Sequence, residues 1–305
     1  MALQIIGDRL SVQNPDFAHA LRVRNPELVE ELVRRQVDAV VGGLLLDTGA
    51  GPDQAPAVGW VLQVAQGEAA VPLAVRTADV AALRLAAERV RQPLIVDATA
   101  PTVQDWRPFL EVARARGAYL VLPAAPGGRP AEAAARARYV ARQLLPWALQ
   151  SGIAPDRLLV DLCPATLSSG PAYLPTAVET ARHLRQALAQ PPRLLVHLAE
   201  AAAGAAAPHQ RLIQRTCLAM LSGVGLDVVV ADPLDEPLRR VMRMVERPDD
   251  ATPLGRLVAA VQRAAAEGRG LLPAEVDPRD PEQAAIGQTV RLLRGEMGYS
   301  DSYLG

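Results

Sequence analysis

Four aspartates stand at the ends of apolar runs, and they are the residues of this chain best placed to do chemistry. The run LLVDLCP carries Asp161, and the similar runs LLLD, LIVD and VVVAD end at Asp47, Asp97 and Asp232. A run that is apolar at every position must be covered on both faces, as the strands of a parallel sheet are. Because α/β folds assemble their sites where such strands end, the four ends predict one acidic pocket. The competing hypothesis is that each Asp only caps the helix or turn that follows it.

The order of elements favours a closed barrel. Eight predicted strands alternate with eight helical stretches over about 245 residues, the length of an α/β fold of the (β/α)8 TIM barrel type. An open doubly wound sheet has the same alternation, but neither half carries GxGxxG after its first strand. The barrel is predicted over residues 1–246. Residues 247–305 predict a helical C-terminal extension, lying either over the barrel or across a subunit interface.

Some segments carry more specific expectations. The first strand is predicted at Leu3–Ile6, followed by GDRLSVQ as a polar loop, and Ala131–Gln150 predicts one long helix. After the seventh strand, HLAEAAAGAAAPHQ predicts a flexible loop with Glu200 at its head. His197, on that strand, is interpreted as a buried histidine with satisfied hydrogen bonds.

Composition argues against several function classes. The net charge of −1 gives no basic field for nucleic acid or an anionic membrane. All 32 basic residues are Arg, which excludes a Schiff-base or P-loop lysine. The two cysteines suit a reducing compartment, and no uncharged apolar run reaches 18 residues, so a soluble, cytoplasmic protein is expected. The four histidines lack metal-binding spacing, and no bound metal is expected.

The segment Leu212–Glu236, LIQRTCLAMLSGVGLDVVVADPLDE, resembles the methyltetrahydrofolate:corrinoid methyltransferase family, which reads LINRT, then a small-residue helix, then GLDAAIADACDE. The opening IIGDRLS is similar to the family's IIGERIN, and Asp47, Asp97 and Asp161 follow the family's register. These methyltransferases are pterin-binding barrels related to dihydropteroate synthase. The resemblance implies methyl transfer between methyltetrahydrofolate and a cobalamin carried by a partner corrinoid protein, performed by a homodimer.

That chemistry explains the residue types. A pterin presents an amino group and a ring N–H side by side, two donors that match the two oxygens of one carboxylate. The methyl group sits on a poorly leaving nitrogen, which needs a proton or hydrogen bond as transfer proceeds. By resemblance, Glu200 is the catalytic acid in place of a mobile Asn, and Arg211 is expected to meet the glutamate tail of a folate. The substrate-binding set is Ser11, Asp47, Arg76, Asp97, Asp161, Arg211 and Val230.

Several of these positions depart from the family pattern. Ser11 stands where the family has Asn, Arg76 where it has Asp, and Asp97 where it has Asn. Arg76 is expected to relieve the repulsion among the strand-end aspartates. It is also expected to bind the carboxylate that would otherwise pair with the amino group and ring N–H of a pterin. Two other hypotheses therefore stay open. One is a homologue that has lost pterin binding and acts as a subunit or scaffold in a corrinoid methyl-transfer complex; the other is a barrel that processes another small cationic or N–H-rich substrate.

Overall fold

The computed structural model of this chain is a closed ring of parallel strands surrounded by helices. It describes residues 3–51, 54–100, 103, 105–125, 132–162 and 173–304. Each strand pairs with its neighbours in sequence, and the last strand closes the ring against the first. The TIM barrel prediction is confirmed, and the open sheet is excluded. The strands are β1 Gln4–Ser11, β2 Gly43–Asp47, β3 Leu73–Arg76, β4 Leu94–Asp97, β5 Tyr119–Pro123, β6 Leu158–Asp161, β7 Arg193–His197 and β8 Val228–Ala231.

Capping side chains fix where several helices begin. Asn25 accepts a hydrogen bond from the N–H of Leu28, and Pro26 follows it with the backbone angle that a first helical residue needs. Asp235 caps its helix in the same way. In the described part of the chain the helices are α1 Pro15–Val23, α2 Pro26–Asp38, α3 Gln54–Glu68, α4 Val80–Arg89, α5 Arg107–Arg116, α6 Ala133–Tyr139, α7 Leu145–Gln150, α8 Tyr173–Ala187, α9 Leu198–Ala201, α10 Ala207–Gly223, α11 Glu236–Glu246, α12 Pro253–Glu267 and α13 Pro281–Leu293.

The two faces of the strands bury two different apolar clusters. Leu44 and Leu46 belong to the large cluster between strands and helices, whereas Leu45 belongs to a smaller cluster inside the ring. Alternate side chains of a strand share a face, so the residue two places after an inner apolar residue also points into the barrel, nearer its carboxyl end. The residues two places after the inner apolar ones therefore form a polar layer above that cluster: Asp8, Asp47, Arg76, Asp97, Asp161, His197 and Asp232.

The first strand differs from its predicted bounds. β1 continues through the polar sequence GDRLS to Ser11 instead of ending at Ile6. Its pairing with β2 shifts between Gly7 and Leu10, an irregularity of the β-bulge type that lets the strand carry extra residues. Polarity predicted a loop here because Asp8 points into the polar end of the barrel, a position that only closure of the ring defines.

Two helical predictions also change. The long helix expected at Ala131–Gln150 is divided, because α6 passes through a π-helical turn at Val140–Leu144 into α7. Pro146 has no N–H to donate to the preceding turn, so a regular helix cannot continue through it. The loop expected after β7 begins instead with the short helix α9, whose residues Leu198 and Ala201 are buried against the barrel.

The segment after Glu246 packs on the barrel of its own chain. α12 and α13 lie against α10, and Leu257 and Val261 of α12 are buried there. Near the C-terminus, the hydroxyl of Tyr299 accepts a hydrogen bond of 2.6 Å from the N–H of Ala206. The extension therefore covers α10 and is tied to the segment that joins α9 to α10. Among the described helices, none is long and apolar enough to cross a membrane.

Candidate functional site

An open cavity of about 1060 Å³ lies at the carboxyl end of the barrel. Its floor includes Leu45 and Val230, which belong to the apolar cluster inside the ring. Five residues expected from the sequence to bind substrate or act in catalysis line this cavity: Ser11, Arg76, Glu200, Arg211 and Val230. The wall of the cavity carries both acidic and basic side chains: Asp8, Arg9, Arg76, His197, Glu200, Arg211, Asp232 and Asp235.

The other three expected residues lie at the same end of the barrel but beneath the cavity wall. Asp97 is 1% exposed and Asp161 is 0% exposed. Adjacent strands pair Asp47 with Arg76 and Arg76 with Asp97, so the three side chains follow one another around the ring. Within the described ranges, Asp47, Asp97 and Asp161 are not part of the cavity surface.

Three of the four strand-end aspartates, all in the described part of the chain, also cap the turns that follow them. Asp47 accepts a hydrogen bond of 2.8 Å from the N–H of Gly49, and Asp97 accepts one of 3.0 Å from the N–H of Thr99. Asp232 accepts one of 2.9 Å from the N–H of Leu234. Turn capping and a place at the barrel mouth are therefore compatible, and the two hypotheses raised by the sequence do not exclude each other.

Arg76 joins two carboxylates of the mouth. Its guanidinium donates to the carboxylate of Glu200, and its Nη1 lies 3.6 Å from Oδ2 of Asp47. Burial disfavours the charge, but the carboxylates of Glu200, Asp97 and Asp47 together raise the pKa of Arg76 above its usual range. Burial also raises the pKa of Asp47, against the attraction of Arg76. Arg76 thus neutralises Asp47 as expected, with Glu200 as its second partner.

Asp97 and His197 form a buried ion pair. Nε2 of His197 lies 3.2 Å from Oδ2 of Asp97, and the hydroxyl of Thr99 donates to Oδ1 of Asp97 over 2.6 Å. Burial alone would raise the pKa of Asp97 and lower the pKa of His197. The charge and hydrogen bond of the partner outweigh burial, so the pKa of Asp97 falls to about 2 and the pKa of His197 rises to about 9. His197 is buried and satisfied, as interpreted from the sequence, yet it also lines the cavity.

Asp8 is a charged residue of the cavity that the sequence interpretation missed. It lies in β1 and lines the cavity beside β8, where Asp232 follows the strand. Burial, followed by the charge of Asp232, raises the pKa of Asp8 to about 7. The signal in the sequence was its spacing: Asp8 stands two residues after Ile6, an inward-facing residue of the inner apolar cluster.

The remaining expected residues stand at the rim and floor. Ser11 is buried, and its hydroxyl accepts a hydrogen bond of 3.3 Å from the N–H of Gln13. The side chain of Arg211 is 76% exposed, with Nε 3.5 Å from Oδ2 of Asp235. Across the described residues, no three His, Cys, Asp or Glu side chains are grouped so that they could hold a metal ion. Cys163, two residues after Asp161 in the run LLVDLCP and for that reason a candidate for the pocket lining, lies outside the described residues.

The structure is similar to solved dihydropteroate synthases, and no family model matches the sequence. The Yersinia pestis enzyme with a pterine-sulfa conjugate superposes with a TM-score of 0.58 at 18% identity, covering 80% of this chain and 93% of that one. The Xanthomonas albilineans enzyme with 7,8-dihydropteroate gives 0.57 at 16% identity, covering 79% and 91%. The Coxiella burnetii enzyme with pteroic acid gives 0.59 at 13% identity, covering 80% and 92%.

These likenesses define the class of the fold: a TIM barrel of the kind seen in dihydropteroate synthases, proteins solved with pterin-type ligands. At such identities they establish the fold alone. The named structures are dihydropteroate synthases and not corrinoid methyltransferases, so the particular family suggested by the sequence stays a prediction.

Proposed function

We propose that this barrel binds a reduced folate at its mouth and transfers a methyl group between methyltetrahydrofolate and a corrinoid (cobalamin) protein. The observation that carries the proposal is the convergence of Arg76, Asp161 and Glu200 at one end of the barrel. By the sequence resemblance, Asp161 and Asp97 hold the pterin and Glu200 serves the methyl-bearing nitrogen, while Arg76 stands where the family has Asp. The pterin-type ligands of the similar barrels and the size of the cavity add support.

Each residue of the mouth has a part in this proposal. In this proposal Asp161, buried at the end of β6 beneath the cavity surface, is the carboxylate that pairs with the amino group and ring N–H of the pterin, whose edge has to enter below that surface. Leu45 and Val230 give a flat ring an apolar floor. Ser11 stands at the wall, and the exposed guanidinium of Arg211 suits the carboxylates of a folate tail. The corrinoid supplies the nucleophile, and this chain supplies orientation and charge.

One observation favours a second function. Asp47 and Asp97 are already paired with Arg76 and His197, and neither they nor Asp161 reach the described cavity surface. A barrel whose acids are neutralised internally has less to offer a pterin edge. The second candidate is therefore a homologue without pterin binding that serves as a subunit or scaffold in a corrinoid methyl-transfer complex.

Calorimetric titration with methyltetrahydrofolate separates the two functions. If Asp161 holds the pterin, wild type binds and Asp161→Asn weakens binding by about 10- to 100-fold, the worth of a charge-assisted hydrogen bond. Asp38→Asn, the same change at an exposed residue of α2, serves as the control and should bind like wild type. Absence of binding in wild type, together with retained capture of a corrinoid protein, would support the scaffold instead.

Turnover is then measured as the change in the absorbance of the corrinoid when it is methylated. Wild type and Asp38→Asn should methylate the corrinoid at similar rates. Asp161→Asn should reach a comparable rate only at a higher concentration of methyltetrahydrofolate. A wild-type protein that binds the folate and never methylates the corrinoid would overturn the assignment of methyl transfer.

A further inference from the structure

We propose that Asp8 is the proton donor of this site, delivering its carboxyl proton to the amine nitrogen that loses the methyl group. The inference rests on the proposed function and names a catalytic residue that neither the sequence resemblance nor the fold assigns. It replaces Glu200 in the role of acid.

The position of Asp8 supports this role. β1 pairs with β8 through Ile6 with Val230 and Gly7 with Ala231, so the next residues along the two strands are Asp8 and Asp232. Both line the cavity directly above its apolar floor. A ligand lying on Val230 therefore meets the Asp8 carboxyl from the side.

The ring also sets Asp8 across from the residues expected to hold the pterin. In a closed ring of eight strands, β1 lies opposite β5, between the β4 and β6 that carry Asp97 and Asp161. A flat heterocycle held on the side of the ring from β4 to β6, where Asp97 and Asp161 stand, presents its far edge towards β1. The proton donor is needed at that far edge if the pterin edge is held by Asp161.

The charges around Asp8 decide which carboxyl carries a proton. Arg9 extends from β1 and bonds Oδ2 of Asp232 over 3.0 Å, and Asp232 also accepts from the N–H of Leu234. Among the described residues no other side chain donates a hydrogen bond to Asp8, while Asp232 faces it from β8 and the charged His197 faces it from β7. Arg76 at the end of β3 and Glu200 after β7 also line the cavity and are paired with each other.

The consequence is a carboxyl that exchanges its proton near neutrality. Burial and the neighbouring Asp232 raise the pKa of Asp8 to about 7, although His197 and Arg9 act in the opposite direction. A general acid works best when its pKa lies near the working pH. Glu200 is less suited, because its carboxylate already accepts a hydrogen bond from the guanidinium of Arg76.

The step balances with this single donor. The bond between nitrogen and methyl carbon breaks, and the methyl group passes to the nucleophile of the corrinoid. The electron pair of the broken bond stays on nitrogen and takes the proton of Asp8, which becomes a carboxylate. Solvent at the open mouth restores the proton before the next turnover.

The first test needs neither folate nor corrinoid. Infrared difference spectra of wild type and Asp8→Asn follow the carbonyl stretch of protonated carboxyl groups as pH rises. The Asp8 band should disappear with a midpoint near pH 7 and be missing from Asp8→Asn. Asp232→Asn, which removes the neighbouring charge, should move the midpoint to lower pH. Spectra of Asp8→Asn and wild type that coincide at pH 6 would overturn the proposal.

The second test compares the two candidate acids in methyl transfer. Asp8→Asn should lower kcat by about 100-fold or more with little change in methyltetrahydrofolate affinity, and Glu200→Gln should retain more activity. A larger loss in Glu200→Gln than in Asp8→Asn would overturn the assignment of Asp8 and leave the proposed function standing. If wild type itself neither binds the folate nor methylates the corrinoid, the proposed function fails and this role fails with it.

Discussion

At the scale of residues, the barrel mouth is built from charges that neutralise one another. Arg76 bonds Glu200 and approaches Asp47, His197 pairs with Asp97, and Arg9 bonds Asp232. Removing charges from water is costly, so each buried charge depends on its partner. The network therefore contributes to stability in a way that depends on pH and on the presence of both partners.

The Asp97–His197 pair predicts a stability that declines in alkali. The folded pKa of His197 is raised from 6.5 to about 9, so its contribution is full below pH 6.5 and is lost as pH rises through 9. The lowered pKa of Asp97 sets the acid limit: its contribution is present above pH 3.8 and is lost as pH falls through 2. The loss on the alkaline side is about 3 kcal/mol at most.

Urea unfolding of wild type and His197→Gln at pH 6, 8 and 10 measures this loss. The difference in free energy of unfolding between the two proteins should be largest at pH 6 and shrink towards pH 10. His183→Gln, on the exposed side of α8, should show no such trend. A difference for His197→Gln that is the same at all three pH values would show that the pair carries no charge.

Arg76→Met should be strongly destabilising, because it leaves Asp47 and Glu200 without their shared cation. Breaking a buried ion pair on one side costs about 3–5 kcal/mol. Adding Glu200→Gln should return part of that loss by removing one uncompensated charge. A double-mutant cycle by chemical denaturation measures the coupling, and strictly additive changes would contradict the pairing.

At the scale of elements, α10 joins the barrel to the C-terminal extension. It contacts α8, α11, α12 and α13, and its buried residues include Ile213, Cys217 and Leu221. Its last residue, Gly223, lies so close to α12 that an added Cβ would meet the carbonyl oxygen of Gln262. The close approach of the two helices therefore requires glycine at this position.

Gly223→Ala should destabilise the protein by about 2 kcal/mol or more, because α12 must move away to admit the methyl group. Gly67→Ala provides the matched control: it makes the same change near the end of α3, where an added Cβ meets nothing within 4 Å. That variant should be neutral or slightly stabilising, as alanine favours helix. Thermal unfolding of both variants measures the difference in stability, and equal melting temperatures would contradict the close contact of α10 with α12.

The elements also show where local sequence patterns mislead. The polar run after Ile6 reads as a loop, yet β1 continues through it with a shifted register. The Ala-rich run at 131–150 reads as one helix, yet it contains a π-helical turn just before Pro146. In both cases the pattern identified the polar or apolar character of the side chains correctly. The backbone conformation was set instead by closure of the ring in β1 and by Pro146 in the helix.

At the scale of the whole molecule, the extension completes the apolar cover of the barrel. α12 buries Leu254, Leu257, Val258 and Val261, and α13 buries Ile286 and Val290. These side chains belong to the same apolar cluster as the helices of the barrel. The composition of the sequence thus changes after Glu246, but one apolar core continues across that position.

Ending the chain after Glu246 should expose the apolar surface of α10 and make the barrel prone to aggregation. We expect lower soluble yield, increased binding of a hydrophobic dye and a lower melting temperature than in the full chain. A truncated barrel that stays soluble with an unchanged melting temperature would show that the extension is an independent unit.

The sequence by itself determined the class of fold and the end of the barrel at which the strand-end residues lie. Strand count, continuous apolar runs and strand-end aspartates are local features, and the parallel barrel follows from them because both faces of every strand need cover. The positions of Asp47, Arg76, Asp97 and Asp161 at one end of the ring follow for the same reason, since every strand runs in the same direction.

Only the tertiary structure decided which charges pair and which of them face the cavity. Arg76 forms ion pairs with Glu200 and Asp47, and His197 forms one with Asp97. Asp8 lies in the cavity beside Asp232. These choices depend on side-chain directions and on the contact of β8 with β1, residues more than 200 positions apart in the chain. Charge pairing acts over a few ångströms in space, and closure of the ring is what brings those side chains within that range.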